Sequence, residues 1–303
     1  MNAGTGLDRA PAESMTATRW LDVSGIHLEG VVWDANAGRL RFVDIPSGRV
    51  FDADPESAAV AWFDLQAPVT AVFPTTDGAT LVVLDGDGVA LVHPGPSVER
   101  LAAPLAGRPG LRMNDGNVDP AGRLLAGSMA YDVEQGAGCL YRLDNDRSLS
   151  TVLTGVTISN GVDFSPDSTL CYFVDSPLKR IDVFDYDLST GTLSNRRLFA
   201  DTSALPGIPD GLTVDADGAV WVAFFGGGRV CRFDRTGRVT RTITVPVTQV
   251  TSCCFAGRDL DQLVISTSTD GLTAAELRQQ PGAGAVFRAD PGCRGRVGTR
   301  FGV

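Results

Sequence analysis

The sequence predicts an all-β fold, a six-bladed β-propeller. Three observations support this: short alternating apolar runs bounded by Gly, Pro, Asp and Asn, a near absence of helical periodicity, and six copies of one unit. The units recur about every 40 to 50 residues, a period typical of propeller blades, whose four-stranded sheets surround a central channel. A two-sheet sandwich is the main alternative, but repetition of one pattern favours the radial arrangement.

Each unit reads as a first strand, a turn rich in Asp, Pro and Gly, a second strand, a short turn and a third strand that usually ends in Asp. The units contain, in chain order, GVVWDANAGRLRFVDIPSGRVFDAD (30–54), AVFPTTDGATLVVLDGDGVALVHP (71–94), NVDPAGRLLAGSM (117–129) with GCLYRLD (138–144), GVTISNGVDFSPDSTLCYFVDSPLKRIDVFDYD (155–187), GLTVDADGAVWVAFFGGGRVCRFD (211–234), and SCCFAGRDLDQLVISTST (252–269) with GAVFRAD (284–290). Segments between them, such as AAVAWFDL, LSNRRLFAD and VTRTITVPV, are predicted to supply outer strands.

One propeller domain is predicted over residues 20–303. Residues 1–19 are mostly small and polar and predict a flexible tail rather than a targeting signal. The six cysteines show no Cys/His metal spacing, and Cys253 and Cys254 are predicted to face opposite sides of a strand. Together with the lack of a secretory apolar segment, this cysteine pattern favours a reducing, cytoplasmic location.

The balance of charged residues limits the classes of molecule that the protein is expected to bind. The chain has 26 Lys and Arg against 36 Asp and Glu, a formal net charge of −10. No basic field is available to attract a phosphate backbone or an anionic lipid surface. The sequence therefore predicts no nucleic acid and no membrane among the partners, and a small molecule is expected instead.

The six units share one further position, four residues before the last apolar residue of each predicted first strand. It is occupied by Glu29, Val69, Asn114, Asn160, Asp210 and Thr251. Because the first strand of each propeller blade lines the channel, these residues are predicted to form a ring around one axis. Four of the six positions carry strong oxygen ligands.

Turn chemistry is the alternative explanation, since Asn-Gly and Asp-Gly pairs favour tight turns. It does not explain Glu29, a poor turn residue, whereas a ring explains every member. Glu29 and Asp210 are predicted to meet near the axis, where two carboxylates repel unless a cation or a shared proton lies between them. The ring therefore predicts one divalent cation in the central channel, with Ca²⁺, Zn²⁺, Mn²⁺, Mg²⁺ and Fe²⁺ all compatible.

Long motifs in a fixed order carry a family resemblance from about Leu28 to Arg288. They are LEGVVWD, RMNDGNVDPAGRLLAGSM, ISNGVDFSPD, FDYDLSTGTLSNRRLFAD, IPDGLTVDADGAVWVAFFGGGRV, TSCCFAGRDLDQLVIST and LRQQPGAGAVFR. These motifs resemble the regucalcin/gluconolactonase group, the senescence marker proteins, which are six-bladed propellers. The resemblance implies that Glu29, Asn160 and Asp210 hold the metal, and the ring alignment selects the same three residues.

The resemblance also implies an enzyme that hydrolyses lactones, commonly sugar lactones. The Arg and Asn of its RxNDG motif contact the substrate, which here are Arg112 and Asn114, with Asp115 beside them. Asp132 stands where mammalian regucalcins carry a substrate-contacting Glu. A bound cation would act as a Lewis acid, and Asp210 is predicted to serve as both ligand and general base.

Two other function classes stay open. One is a calcium- or metabolite-binding propeller without turnover, and the other is a related propeller enzyme acting on phosphoesters or a biosynthetic lactone. Arg112 and Asn114 favour an enzyme, because cation binding alone does not require them, although a structural salt bridge between blades is the alternative role for Arg112. His27 is the only histidine near Glu29, and a packed or exposed imidazole is its default interpretation.

Overall fold

The structure, a computed structural model, describes residues 13–66, 68–95 and 97–303. Their strands form six separate sheets. Turns at Gly, Asp and Pro separate short alternating runs, so that each sheet is built almost entirely from one continuous part of the chain.

The described chain contains twenty-five strands, one α-helix and one turn of 3-10 helix, Ser176–Leu178. The elements are β1 (Glu13–Thr16), β2 (Thr18–Leu21), β3 (Leu28–Asp34), β4 (Arg39–Asp44), β5 (Arg49–Ala53), β6 (Val60–Asp64), β7 (Val69–Pro74), β8 (Leu81–Asp85), β9 (Val89–Val92), β10 (Val98–Ala102), β11 (Leu111–Val118), β12 (Leu124–Ala130), β13 (Gly138–Leu143), β14 (Leu149–Val156), β15 (Ser159–Phe164), β16 (Leu170–Asp175), β17 (Arg180–Asp187), β18 (Thr192–Asp201), β19 (Ile208–Val214), β20 (Val220–Phe225), β21 (Arg229–Phe233), β22 (Val239–Thr244), β23 (Val250–Ala256), β24 (Gln262–Thr267), α1 (Ala274–Gln279) and β25 (Val286–Ala289). Neither helix in this part of the chain is long and apolar enough to cross a membrane.

Four antiparallel strands make each blade, and they run from the axis outward in chain order. Blades 1 to 5 are β3–β6, β7–β10, β11–β14, β15–β18 and β19–β22, and blade 6 is β23–β25 completed by β2. The first strand of each blade contacts the first strand of the next, and β23 contacts β3. The first strands therefore close a ring, which confirms the six-bladed propeller. We call the face where they begin the upper face and the opposite face the lower face.

Burial follows the same radial repeat. Within the described chain, six buried apolar clusters each join neighbouring blades, so that every blade interface has its own core. Trp221, for example, packs edge-on against Phe255 between blades 5 and 6. Cys253 faces that cluster and Cys254 faces the cluster between blades 6 and 1, on opposite sides of β23 as predicted. A two-sheet sandwich would have one core between its sheets, so these clusters exclude it.

The N-terminal strands change the predicted start of the domain. β2 pairs antiparallel with β25 and completes blade 6, while β1 pairs in parallel with β22 at the outer edge of blade 5. The tail boundary predicted at residue 20 is therefore wrong for residues 13–19; residues 1–12 lie outside the described residues. Met15 and Ala17 face the core and alternate with the exposed Ser14 and Thr16. Because this stretch contains so few apolar residues, its strand signal in the sequence was weak.

The segment after β25 crosses the lower face and contacts all six blades. Its contacts are Arg294 O with Ala216 N, Gly295 N with Leu260 O, Arg296 Nη2 with Phe164 O, Arg300 with Thr75 O and Asp34, and Gly302 N with Gly122 O. Phe301 is buried in the core between blades 2 and 3. This C-terminal segment closes the lower end of the channel beneath a cavity of about 110 Å³ that both Asp115 and Arg296 line.

Candidate functional site

The six ring residues occupy the same place in the six first strands. In blades 1 and 4, the register between first and second strands shifts between Glu29 and Val32 and between Asn160 and Val162. Equivalent shifts occur at or beside the ring residue in the other four blades. A β-bulge re-aims the side chains next to it. The repeated bulge therefore explains how ordinary strands present one polar residue each at the upper end of the channel.

The Asn-Gly and Asp-Gly pairs lie inside strands and not in turns. Asn160-Gly161 belongs to β15 and Asp210-Gly211 belongs to β19. A Cβ atom on Gly161 would lie 2.6 Å from Asp210 O, and one on Gly211 would lie 2.5 Å from Ser252 Oγ. These glycines let the first strands of neighbouring blades approach closely. The turn explanation is wrong for both pairs.

Three carboxylates share the upper end of the channel. Burial, and then the charge of Asp115, raises the pKa of Glu29 to about 8. Burial raises the pKa of Asp115 to about 6, and burial followed by the charges of Glu29 and Asp115 raises the pKa of Asp210 well above its usual range. Within the described residues, none of the three is in an ion pair. The carboxylates therefore repel one another in a poorly solvated space.

A chain of hydrogen bonds joins three predicted site residues. Arg112 Nη1 donates to Asn114 Oδ1 at 2.6 Å, and Asn114 Nδ2 donates to Asn160 Oδ1 at 3.0 Å and to Ser159 O at 2.8 Å. Asn160 Nδ2 in turn donates to Ser176 Oγ at 2.8 Å. This chain sets the orientation of both amides, because each amide nitrogen has an oxygen acceptor.

Arg112 faces the carboxylates without pairing to one. Burial lowers its pKa, and the charges of Tyr131, Glu29 and Asp210 oppose that change. The charge of Arg112 also lowers the pKa of Glu29 and of Asp210 against their burial. Because Arg112 forms no ion pair within the described part of the chain, the structural salt bridge is not supported. Tyr131, 54% exposed just after β12, was not identified from the sequence.

Two aspartates that the sequence analysis missed hold the segments leading into ring residues. Asp44 Oδ1 accepts from the backbone N–H groups of Ile26 and His27 at 3.2 and 2.8 Å. Asp175 accepts from the backbone of residues 157 and 158 at 3.1 and 3.0 Å. The signal was present as a repeated FVD-x-P, in FVDIPSGRV and FVDSPLKRI. These aspartates position the start of β3 and β15 relative to the second strand.

A second polar group lies at the mouth of the channel. His27 Nδ1 is 3.1 Å from Ser268 Oγ and 3.7 Å from Asp270 Oδ2, and the imidazole centroid is 5.9 Å from that of Phe225. Burial, and then the charge of Arg112, lowers the pKa of His27 to about 4. The sequence analysis had favoured a packed or exposed imidazole, and the ring is indeed mostly packed.

Asp132 lies apart from the other predicted residues. It occupies an exposed turn after β12, where its Oδ1 accepts from Glu134 N at 3.2 Å. No hydrogen bond or ion pair within the described chain joins Asp132 to Arg112 or Asn114. The structure therefore brings Glu29, Asn160 and Asp210 together with the Arg112 group but does not show Asp132 in contact with them.

The donor set fits a hard divalent cation. Glu29 and Asp210 supply carboxylates, and Asn160 Oδ1 accepts one hydrogen bond, from Asn114, which leaves it a free lone pair. A cation would offset the repulsion of Asp115 with both carboxylates. The described residues contain no metal-binding cluster built from three His, Cys, Asp or Glu side chains. A cation at this site would therefore be held by a mixed set of ligands, the carboxylate oxygens of Glu29 and Asp210 and the amide oxygen of Asn160.

Comparison with known proteins identifies the family. Residues 28–269 match the model described as the SMP-30/Gluconolactonase/LRE-like region. The chain belongs to this family. Regucalcin from Oryctolagus cuniculus is 39% identical over 266 residues, covering 86% of this chain and 89% of that protein, and regucalcin from Homo sapiens is 38% identical with the same coverage.

Solved structures agree with this assignment. A regucalcin from Agrobacterium tumefaciens, described as a calcium-binding protein, superposes with a TM-score of 0.91 at 26% identity and covers 96% of this chain and 99% of its own. A luciferin-regenerating enzyme superposes with a TM-score of 0.87 at 28% identity, covering 92% of this chain and 96% of its own. The family resemblance read from the motifs is confirmed.

Proposed function

We propose that this member of the SMP-30/gluconolactonase family is a metal-dependent hydrolase that opens a lactone ring, with sugar lactones as the substrate class. The main support is the position of Arg112 beside three carboxylates that have no ion-pair partner among the described residues. Its Nε and Nη2 atoms donate to no protein group within the described residues. A site that only binds a cation has no need of a guanidinium with free donors.

Glu29, Asn160 and Asp210 would hold the cation. When bound, such a cation supplies Lewis acidity, which polarises a carbonyl and lowers the pKa of water. The oxygen donors are compatible with Ca²⁺, Mg²⁺, Mn²⁺, Zn²⁺ and Fe²⁺.

Arg112 binds the substrate in this proposal. Its free donors suit the hydroxyl groups or the developing carboxylate of a polyhydroxylated lactone. Asn114 uses both amide hydrogens inside the protein and keeps a lone pair on Oδ1, so its main part is to hold Arg112 and Asn160 in position. Asp115 adds negative charge on the other side of the site and excludes anionic groups there.

Asp210 is the general base in this proposal. It accepts a proton from the attacking water as the new C–O bond forms at the carbonyl carbon, and a proton is returned to the ring oxygen when the original C–O bond breaks. The products are a hydroxy acid in its carboxylate form and a released proton. Burial and the charges of Glu29 and Asp115 raise the pKa of Asp210 in the absence of metal, and a bound cation would favour its ionised form.

A calcium- or metabolite-binding protein without turnover is the second candidate. It is favoured by the names of the relatives, which are regucalcins, and by a structural neighbour described as calcium-binding. The two candidates predict the same cation site and differ in what Arg112 does.

Turnover of a lactone panel, measured with and without a chelator, tests the proposal. We expect hydrolysis of sugar lactones that is abolished by the chelator and restored by one of the five cations. Metal binding without turnover of any lactone would support the second candidate. Turnover of an aryl phosphoester but no lactone would instead identify a phosphoester hydrolase.

A further inference from the structure

His27 reaches the site from a loop and is held by three blades. It precedes β3 of blade 1, Ser268 and Asp270 follow β24 of blade 6, and Phe225 ends β20 of blade 5. The imidazole starts in blade 1 and contacts both Ser268 of blade 6 and, beyond it, Phe225 of blade 5. A side chain that spans three neighbouring blades in this way lies toward the axis, where the blades converge. The imidazole therefore lies at the mouth of the channel and not on its outer rim.

The hydrogen bonds around Ser268 favour one tautomer of His27. Ser268 Oγ donates its single hydrogen to Ile26 O at 2.9 Å and accepts from Asp270 N at 2.8 Å. Its remaining lone pair can only accept, so His27 Nδ1, 3.1 Å away, is the donor. The Asp270 carboxylate, 3.7 Å from Nδ1, favours the same tautomer. In a neutral imidazole Nε2 is then a hydrogen-bond acceptor.

No protein group within the described residues is hydrogen-bonded to Nε2. The contact with Phe225 and the bond to Ser268 restrict rotation of the ring, so this acceptor keeps one direction. Arg112 offers only donors, and the carboxylates are needed for the cation. His27 thus adds a neutral acceptor at the mouth of the channel, in addition to the free lone pair of Asn114 Oδ1.

We propose that His27 is a specificity-determining residue whose Nε2 accepts a hydrogen bond from a hydroxyl group on the lactone ring. The site then selects hydroxylated lactones over unsubstituted ones. This inference rests on the proposed function for its substrate class, but the position and tautomer of His27 do not depend on turnover.

Variants of His27 test the selection. We expect His27→Ala and His27→Asn to lower kcat/KM for glucono-1,5-lactone about three- to tenfold, mainly through KM, as loss of one neutral hydrogen bond implies. Hydrolysis of δ-valerolactone, the same ring without hydroxyls, should change little. His27→Gln, whose longer side chain carries an acceptor near the Nε2 position, should recover part of the loss. Equal losses on both lactones, or no loss on either, would overturn the proposal.

His93→Gln is the matched control, because His93 is the other histidine of the chain and pairs with Glu99 in blade 2. It should leave both lactones unaffected. Melting temperatures of His27→Asn, His27→Gln and His93→Gln should stay close to the parent, since Asp44 holds the backbone of His27, whereas His27→Ala should lower the melting temperature because it removes a ring packed against Phe225.

Nitrogen-15 spectra of histidine-labelled, metal-loaded protein give a readout that does not depend on turnover. His93→Gln assigns the two rings. We expect the Nδ1–H tautomer for His27, and a shift of its Nε2 resonance on addition of gluconate, the hydroxylated product. An Nε2–H tautomer would overturn the inference even in an active enzyme. If neither lactone is hydrolysed by the parent, the proposed function fails while the tautomer and the gluconate shift still decide the role of His27.

Discussion

The buried carboxylates at the two ends of the central channel differ in whether they pair with arginine. At the lower end each buried carboxylate has an arginine partner. These pairs are Asp119 with Arg123 at 2.6 Å, Asp163 with Arg296 at 3.4 Å, Asp215 with Arg232 at 2.9 Å, and Asp34 with both Arg41 and Arg300. Within the described residues, Glu29, Asp115 and Asp210 toward the upper end have none, and Asp115 also lines the cavity above the C-terminal segment.

The difference shows in the electrostatics of Asp34 and Glu29, whereas burial still raises the pKa of Asp163, whose partner Arg296 is 3.4 Å away. Burial raises the pKa of Asp34, but the hydrogen bond and charge of Arg41 lower it more, so its net pKa lies below the usual range. The pKa of Glu29 lies far above its usual range, because the hydrogen bond from Gly30 N and the more distant charge of Arg112 oppose burial and Asp115 only in part. Paired carboxylates hold the lower turns together, whereas unpaired ones cost stability and imply a ligand that offsets their charge.

The largest effect is expected from neutralising one carboxylate at the upper end. Asp210→Asn keeps an oxygen ligand but removes the charge and the basic site. Metal binding should weaken and recover at higher cation concentration, while turnover stays about 10²- to 10⁴-fold lower. Steady-state kinetics across a metal titration measure both.

Asp163→Asn is the control at the lower end. Its amide oxygen can still accept from Val214 N, which donates to Asp163 at 2.7 Å. Activity should stay within a few-fold of the parent. Full activity of Asp210→Asn at saturating metal would show that Asp210 is only a ligand.

Removing a paired carboxylate should affect stability instead. Asp215 is fully buried and accepts from Trp221 Nε1 at 3.0 Å and from Arg232 Nε at 2.9 Å. Asp215→Ala leaves both donors without their partner, so we expect a loss of about 3–5 kcal/mol in the free energy of unfolding. Denaturant titration measures it. A loss below 1 kcal/mol would mean that water replaces the carboxylate.

Arg112→Ala removes the positive charge that acts on Glu29 and Asp210 at the upper end. We expect kcat/KM for a sugar lactone to fall about 10- to 100-fold, as for loss of a hydrogen bond from a charged donor. Metal affinity should change only a few-fold, because Asn160 keeps its bond to Ser176. Isothermal titration separates the two quantities. A collapse of metal affinity would show that Arg112 organises the ligands through Asn114.

The smallest effect concerns pH in the metal-free protein. Glu29 has a folded pKa of about 8 against 4.5 for the free side chain, so between these values the folded state holds a proton that the unfolded state has lost. The free energy of unfolding should therefore fall as pH rises through this window. Melting temperatures of chelated protein check the sign. A cation should flatten the dependence, and a melting temperature that rises with pH would contradict it.

Local sequence patterns determined the repeated architecture and the phase of the site. Each blade repeats one order of strands and turns, and its first strand carries one residue at the same distance from its last apolar position. Because every blade packs by the same geometry, residues at the same position of each sequence repeat lie at the same depth in the channel. For that reason Glu29, Asn160 and Asp210 could be selected together without knowledge of any contact.

Only the tertiary structure decided the contacts between distant parts of the chain. β2 completes blade 6 because ring closure leaves the outer strand position of that blade open. The sequence of β2 contains few apolar residues that would have predicted this strand. His27 meets Ser268 although 241 residues separate them, and it does so because blade 6 closes against blade 1. Asp119 and Asp215 find their arginine partners within their own blades, but the pairs of Asp34 with Arg300 and of Asp163 with Arg296 depend on where the C-terminal segment crosses the blades. Such pairings follow from closure of the ring, a condition on the whole chain that no local pattern encodes.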